Sequence, residues 1–419
     1  MSNPVPGKTY IVVVGDTLSG IAAKAYGNTE KWPVIWNANQ QQIKSGDPDL
    51  IYPGEVLFIP EDQLRESLKS GLQENKLAQK DPDLFTLVIE NREVPVLNGR
   101  VFNAMDIVSG SWTATIEWVP GIDEFIDRVT LPYTYPKAQV YLGKNLVNTG
   151  FIYDIETNLS ESGRTKILTG FSKTVDAIDS TIRPPYQEEK VTLKQRTETL
   201  FKNYGLTIEY ELENNSQFDR VTAEPTEKII EHLRKLVSQR GALISDTPEG
   251  NILIYKASEL GSTVGTLEEG KPGVLSWAGK WNGRERFSVY KAIAQTAKSN
   301  ASNAVSTDSN IPKSRFLTFQ ANDTIPGNIQ DSADWKRSKS VADSLSQALP
   351  VDSWYAPNGE LWKENTYVTV ISETLHIPDG YKFLIKSVEY SFSEGGTTAV
   401  LNIVPPGVYT GQEVVNPWQ

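Results

Sequence analysis

The sequence predicts an α+β, β-rich chain of several domains, in which a small βααβ module precedes a larger body of short strands. With 419 residues, the chain exceeds the usual size of one hydrophobic core. Its first 60 residues alternate between strand and helix spacing. From Leu84 onward, short alternating apolar runs bounded by turn residues dominate, and these favour a small barrel or sandwich.

Composition excludes several classes of function. The net charge of −11 argues against a protein that binds nucleic acid, because such binding needs clustered Lys and Arg. The absence of Cys excludes disulfides and thiolate metal ligands, and His232 and His376 are the only histidines. The sequence contains no run of about 18 apolar residues that would predict a membrane span, and residues 1–8 do not resemble a secretory leader. We therefore expect a protein kept in the cytoplasm that makes it, with no cofactor and no metal.

The N-terminal module begins with a predicted strand over residues 9–14. Asp16 and Thr17 then offer an N-cap to a first helix, and a second helix is predicted from about Glu30 to Asn39. A strand over residues 56–59 closes the unit. The predicted order is strand, helix, helix, strand.

Short motifs along this module give it a family resemblance. They are Gly15-Asp16-Thr17-Leu18, Ile21-Ala22, Tyr26-Gly27, Trp32-Pro33, Asn37-Ala38-Asn39, Pro48 to Gly54 and Phe58-Ile59-Pro60. With these motifs, residues 7–61 resemble a LysM domain. The resemblance implies a shallow groove for N-acetylglucosamine-containing glycans between two loops.

The groove residues that the resemblance implies come from the loop after the first strand and the loop before the last. They are Gly15, Asp16, Thr17, Leu18, Asp49, Leu50, Ile51, Tyr52 and Pro53. The Gly, Asp and Pro residues among them are also what the turns and the helix cap require. Glycan binding and docking to a protein within an assembly therefore remain alternatives.

The body divides by pattern into further predicted segments. A charged linker covers 62–82, a β-barrel-like domain 83–175, a mixed α/β domain 176–258, a second β-barrel-like domain 259–410 and a C-terminal tail 411–419. Within them we predict helices over 192–204, 226–240 and 330–348. The polar stretch 297–310 predicts a long exposed loop.

Scattered motifs in the body carry a second resemblance, over about residues 83–410. They are Val140 to Lys144, Thr149 to Ile152, Gly170 to Ser172, Asp179-Ser180, Ala333 to Arg337, Ala342, Trp354, Pro357 to Trp362, Asn365, Val368, Val370, Leu384-Ile385, Val388, Gly395 to Thr398 and Leu401 to Pro405. The stretch is similar to the baseplate hub proteins of Mu-like contractile phages. A phage, a tailocin and a related injection machine all fit this resemblance.

The hub resemblance implies a homotrimeric ring with two β-barrel domains in each subunit. Such a ring adapts the tail tube protein above to a spike below. The spike is expected to be a separate protein, since this sequence has no long spike-like β-repeat. Other baseplate proteins are further expected partners, and DNA is expected to pass without specific binding. The implied location is the virion tail baseplate, assembled in the host cytoplasm.

The main competing hypotheses are a LysM-targeted peptidoglycan hydrolase and a cell-wall-binding adhesin. Two isolated histidines cannot form the usual zinc peptidase sites. A glycosidase needs only two carboxylates, and Asp123-Glu124 with Asp127, or Asp154 with Glu156, could supply them. The first group lies in a predicted exposed turn and the second along a predicted strand, and carboxylates are common at such solvated positions without any catalytic role. We expect no enzymatic activity and no catalytic residue.

Overall fold

The computed structural model describes residues 4–26, 29–40, 42–60, 81–160, 163–213, 215–257, 263–296, 299–311, 314–321 and 329–409. The chain divides into two compact units, Met1–Lys80 and Asp81–Gln419. The predicted linker 62–82 lies outside the described residues except for its last two positions, and the predicted tail 411–419 lies wholly outside them. No helix in the described residues is both long and apolar enough to span a bilayer.

The first unit has the predicted order of elements. Strand β1 (Thr9–Ile11) is followed by α1 (Leu18–Tyr26) and α2 (Trp32–Asn39), and β2 (Val56–Phe58) pairs antiparallel with β1. Each strand buries only its middle residue, as alternation along a half-covered sheet requires. The fully buried side chains of the unit form one small core between sheet and helices: Ile21, Ala22, Ile35, Leu57 and Ile59.

The second unit is strand-rich, as predicted. Its strands are β3 (Phe85–Ile89), β4 (Arg92–Val94), β5 (Asn98–Ala104), β6 (Ser111–Glu117), β7 (Lys137–Leu142), β8 (Asn145–Ser160), β9 (Gly163–Ser172), β10 (Gln187–Thr192), β11 (Ile208–Tyr210), β12 (Gln217–Thr222), β13 (Leu243–Asp246), β14 (Ile252–Tyr255), β15 (Thr263–Glu268), β16 (Val289–Thr296), β17 (Ser299–Thr307), β18 (Phe316–Gln320), β19 (Gln347–Val351), β20 (Tyr367–Ser372), β21 (Ile377–Ser393) and β22 (Gly396–Val404). Its helices are α3 (Glu124–Val129), α4 (Val175–Asp179), α5 (Leu193–Phe201), α6 (Ile229–Ser238) and α7 (Ile329–Leu345).

Twelve strands of this unit form a single sheet. Its main path is β15-β20-β21-β5-β6-β9-β8-β7-β3-β4, and β22 joins β19 to β21. The long strand β21 pairs with β20 near its start and with β5 and β22 further along. Strands from the two predicted barrel-like segments therefore belong to one hydrogen-bonded sheet with one large core.

The segment between these strands forms a separate mixed α/β layer. Strands β11, β14 and β13 make a three-stranded sheet, and β10 pairs with β12. Helix α6 buries Ile229, Ile230, Leu233, Leu236 and Val237 in the core of this layer. The helix is shorter than the predicted 226–240, because Lys228 has extended backbone angles and Gly241 follows in a left-handed conformation.

The predicted loop over 297–310 is wrong. Residues 299–307 form strand β17, which pairs antiparallel with β16, while β18 pairs parallel with β16 on its other side. Backbone pairing defines this strand, and its Ala304 packs against the small core that contains Ala292 of β16 and Ala333 of α7. Ser306 is buried and donates a hydrogen bond of 2.6 Å to Asp334 on α7.

The predicted helix over 330–348 extends three residues too far. Helix α7 ends at Leu345, and Gln347–Val351 then pairs with β22 as strand β19. Pro350 cannot continue a helix interior, and Leu349 and Val351 alternate with exposed or half-exposed neighbours as a strand requires.

Candidate functional site

The two loops of the implied groove are joined by backbone hydrogen bonds. The Val12 amide donates to the Glu55 carbonyl at 2.8 Å, and the Gly54 amide donates to the Val12 carbonyl at 2.8 Å. The pairing continues the β1–β2 ladder into both loops. It brings residues 15–18 and 49–53 to the same end of the small sheet.

Asp16 holds the first loop in shape. Its carboxylate accepts hydrogen bonds from the Tyr10 hydroxyl at 2.7 Å, the Val13 amide at 3.0 Å and Lys24 Nζ at 2.8 Å. Burial alone would raise the pKa of Asp16, but the bonds from Lys24, Val13 and Tyr10 outweigh it and lower this pKa overall. With a side chain 4% exposed, Asp16 organises the loop and offers little surface to a ligand.

Three neighbours of Asp16 also have structural roles. Gly15 has a φ of +91°, which favours glycine. Thr17 Oγ1 accepts a hydrogen bond from the Gly20 amide at 3.1 Å at the start of α1. Leu18 is buried in the core, so its side chain supports the groove by packing.

The second loop is held from within by the buried carboxylate of Glu55. That carboxylate accepts from the Lys44 amide at 2.9 Å and the Tyr52 amide at 2.8 Å. The Asp49 amide donates to Asp47 Oδ1 at 2.9 Å, which tightens the turn before it. Ile51 packs against the module's core.

The exposed side chains among the predicted groove residues are those of Thr17, Asp49, Leu50, Tyr52 and Pro53. Leu50 and Tyr52 are 46% and 45% exposed, and Pro53 is exposed as well. Val14, at 88% exposure, lies on the facing loop. Sequence reasoning missed Val14, although an apolar residue that continues a strand past its last core position was a usable signal.

Two of the carboxylates considered for glycosidase chemistry make hydrogen bonds with neighbouring residues. Asp123 accepts two hydrogen bonds from Arg92, at 3.0 and 2.6 Å, and caps helix α3. Asp127 accepts from Trp118 Nε1 at 2.7 Å and from the Gly121 amide at 2.8 Å. These contacts give both carboxylates a structural role.

The remaining carboxylates of those two groups have simpler surroundings. Glu124 lies in the first turn of α3, where a negative charge complements the helix dipole. Asp154 and Glu156 are exposed on strand β8. Among the described residues, no group of three or more His, Asp and Glu side chains could hold a metal ion.

His232 lies in a buried polar chain on α6. Its Nδ1 is 3.3 Å from Glu227 Oε2, and its Nε2 accepts a hydrogen bond of 3.4 Å from Arg196 Nε. Arg196 is fully buried and pairs with Glu188 at 2.6 Å. Burial, helped by the Arg196 charge, lowers the pKa of His232 to about 4. The imidazole is therefore neutral at pH 7, and it links helix α6 to helix α5 within the mixed α/β core.

His376 stands apart from that chain. It is exposed, with a φ of +59°, and its ring lies 5.8 Å from the ring of Trp281.

Three family models match separate stretches of the chain. The LysM domain matches residues 10–60. The second domain of the gp44-like baseplate hub protein matches 174–256, and the fourth domain of the Mu phage baseplate assembly protein GpP matches 326–412.

Individual proteins are also similar to parts of this chain. The potassium binding protein Kbp of Escherichia coli O6:H1 is 51% identical over 53 residues, which cover 13% of this chain and 34% of Kbp. The chain thus spans about a third of the length of that relative. The fold of this chain matches that of the 43 kDa tail protein of prophage MuSo2 from Shewanella oneidensis. The two are 26% identical with a TM-score of 0.67, and the match covers 77% of this chain and 98% of that one.

A tail protein from Neisseria meningitidis MC58 has the same fold. It is 18% identical, with a TM-score of 0.69, and the match covers 78% of this chain and 98% of that one. The chain thus carries a LysM domain and two further stretches that match baseplate hub domains, and its fold is that of phage tail proteins.

Proposed function

We propose that this chain is the hub subunit of a contractile tail baseplate, where three copies form a ring that joins the tail tube to a separate spike protein. The observation that carries the proposal is the pair of hub-domain matches, at 174–256 and 326–412, on a fold shared with a Mu-like prophage tail protein. The ring is assembled in the host cytoplasm and ends in the virion baseplate.

The role is mechanical, and a continuous sheet suits it. In the pairing of β5 with β21, residues about 290 positions apart exchange backbone hydrogen bonds, so the early and late parts of the unit share one core. A sheet held together by such non-local pairs resists local opening better than independent hairpins do. This stiffness supports a subunit that transmits force during contraction.

The charge of the chain fits a channel wall along which DNA moves. At a net charge of −11, the surface repels phosphates more than it binds them. Genome or cargo therefore passes without specific binding, and the tail tube, the spike and other baseplate proteins are the lasting partners.

The LysM module attaches the hub either to a glycan such as peptidoglycan or to a neighbouring baseplate protein. The groove offers Val14, Leu50 and Tyr52 as apolar contacts beside loop backbone, which suits sugar rings and acetamide groups. A single groove of this size gives weak binding, so several copies in one ring would strengthen attachment through avidity.

Electron microscopy of the purified chain, alone and with its co-expressed spike, tests the proposal. We expect ring-shaped particles with threefold symmetry and a spike seated on their axis. Particles without threefold symmetry under both conditions would contradict it.

A further inference from the structure

A pocket open to solvent is lined by residues of helix α6, helix α7 and the large sheet. Its volume is about 700 Å³, which is large enough for a short peptide segment. Apolar and charged side chains both line it. The larger apolar lining residues are Phe102, Ile107, Val237, Leu243 and Trp335.

Three cations line this pocket, each from a different element. Arg234 belongs to α6, Lys339 to α7 and Lys386 to β21. Asp106 is the one carboxylate among the lining residues that the structure describes. The lining of what we call the cationic pocket is therefore positive, although the whole chain has a net charge of −11. A concave site with this local reversal of charge favours an anionic ligand.

The three cations are only partly neutralised inside the chain. Arg234 Nη2 donates to the Asp106 carbonyl at 3.2 Å, which is a neutral acceptor. Lys386 Nζ lies 3.8 Å from Asp106 Oδ2 and 3.6 Å from Asp343 Oδ1, beyond hydrogen-bond distance. Lys339 is exposed, and in the described part of the chain it makes no ion pair or hydrogen bond. Even with Asp343 counted, the cations outnumber the carboxylates and retain free donors.

A β-bulge at Lys386 is a second observation, independent of charge. In the pairing of β21 with β22, Ile385 faces Ile403 and Ser387 faces Asn402, so Lys386 is an extra residue between them. Its two neighbours are buried, whereas Lys386 is partly exposed and lines the pocket. Bulges re-aim a side chain and are common beside functional sites.

We propose that the cationic pocket binds an acidic peptide segment of another polypeptide. Carboxylates of that segment pair with Arg234, Lys339 and Lys386. An apolar side chain next to those carboxylates contacts Trp335 and Val237. The pocket belongs to a single copy of the chain, so the proposal goes beyond the hub role and does not need the ring.

The lining favours a carboxylate peptide over a phosphate ligand. Phosphate sites gather backbone amides or bidentate arginines around one multiply charged group. In the cationic pocket the three cations come from three elements, and the carboxylate of Asp106 adds repulsion for a phosphate. The apolar lining suits a hydrophobic side chain, which a nucleic-acid backbone does not have. An oligonucleotide is therefore the competing ligand to include in the test.

Binding of a labelled peptide to the full chain tests this proposal. The probe is acetyl-Gly-Glu-Leu-Glu-Gly-amide, and its twin carries glutamine in place of glutamate. We expect the glutamate peptide to bind about tenfold or more tightly than the twin, with an affinity that falls as salt rises. Replacing the leucine of the probe by serine should weaken it severalfold, because the apolar lining loses its contact. No binding, or equal binding of the glutamate and glutamine peptides, would overturn the proposal.

Competition separates a peptide site from a phosphate site. Unlabelled glutamate peptide should displace the probe at a lower concentration than a short oligothymidylate or inorganic phosphate does. Displacement in the reverse order would assign the pocket to a phosphate ligand and reject the peptide.

Substitutions in the pocket give the next arm of the test. The double variant Arg234→Gln and Lys339→Gln should weaken the probe by about tenfold or more, because it removes two of the three cations. The matched control is the double variant Lys194→Gln and Lys336→Gln, which loses the same charge at exposed positions of α5 and α7 outside the pocket. An equal loss of binding in the control would show that only the overall charge matters, and the proposal would be wrong.

Thermal unfolding separates this site from a merely structural cluster. Saturating probe should raise the unfolding temperature of the unsubstituted chain and of the control, and leave that of the pocket variant unchanged. Without the probe, the pocket variant should unfold near the temperature of the unsubstituted chain. The reason is that Arg234 and Lys339 are exposed and make no ion pair within the described residues. A marked drop in this unfolding temperature would assign the two cations to folding and overturn the proposal.

Discussion

At the residue scale, buried polar contacts decide what each candidate side chain does. In the sequence, His232 lies beside Leu233 on a predicted helix. Its contact with Arg196 could not be predicted, because it depends on how helices α5 and α6 meet. In the same way, Asp16 was predicted as a groove residue from the family motif, but its three hydrogen bonds are visible only in the fold.

His232 should make stability depend on pH in a defined window. Its folded-state pKa of about 4 lies below the usual 6.5, so between these values the unfolded chain binds a proton that the folded chain excludes. The contribution of His232 to the free energy of unfolding should thus be complete above about pH 6.5. As the pH drops toward 4, the free energy of unfolding should fall by up to about 3 kcal/mol. Urea unfolding at a series of pH values measures this.

The two histidines of the chain supply matched variants for that measurement. In His232→Gln the loss between pH 6.5 and 4 should become smaller, while exposed His376→Gln should follow the unsubstituted chain. If His232→Gln keeps the full loss, the assignment of this pH dependence is wrong.

Tyr52 and Phe58 distinguish a glycan groove from a general apolar surface. They are equally exposed, at 45% and 44%, but Tyr52 lies in the groove loop and Phe58 at the far end of strand β2. If the groove holds glycan, Tyr52→Ala should weaken binding to purified peptidoglycan by about tenfold, since it removes about 1–2 kcal/mol of contact. Phe58→Ala should bind normally in the same sedimentation assay, and equal losses in both variants would contradict a groove-specific role.

At the element scale, the sequence predicted the strands and helices with strong periodicity and failed where backbone pairing acts alone. Helix α6 shows clear spacing of Ile229, Leu233 and Leu236 and was predicted within three residues of its ends. Strand β17 has little apolar bulk, and its backbone pairing with the preceding strand β16 makes it a strand. The need for glycine at some strand positions is equally hard to predict, because it comes from close contacts that exist only in the assembled sheet.

Gly170 on strand β9 illustrates such a contact and yields a prediction. A Cβ atom at Gly170 would lie 2.2 Å from the ring of buried Trp112 on β6. Gly170→Ala should therefore lower the free energy of unfolding by about 1–3 kcal/mol through overpacking. Gly283→Ala is the control, because nothing lies within 4 Å of its Cβ position. Chemical denaturation of both variants measures the difference, and equal stabilities would refute the contact.

At the scale of the whole molecule, the sequence predicted strand-rich architecture but not how the strands are shared. It suggested two barrel-like segments, and their division at about 176 and 259 remains a prediction. The structure places strands of both segments in one sheet, because β21 pairs with β5 across a long separation in sequence. Such pairing leaves no local signal in either strand.

The shared core predicts that both halves of the sheet lose stability together. Ile116 on β6 and Leu401 on β22 are each at most 1% exposed and belong to the same core. Ile116→Ala and Leu401→Ala should each cost about 2–5 kcal/mol and speed amide hydrogen exchange across both β6–β9 and β20–β22. Exchange changes confined to the substituted half would show that the halves open separately.

The central claim is that three copies of this chain close around one axis, and its solution mass tests that claim most directly. One chain has a mass of 46.6 kDa. The hub account predicts that light scattering, for the full chain alone or mixed with its spike, finds an assembly containing three copies of this chain. A monomer under both conditions, particularly one that degrades peptidoglycan, would contradict the account and favour a cell-wall hydrolase.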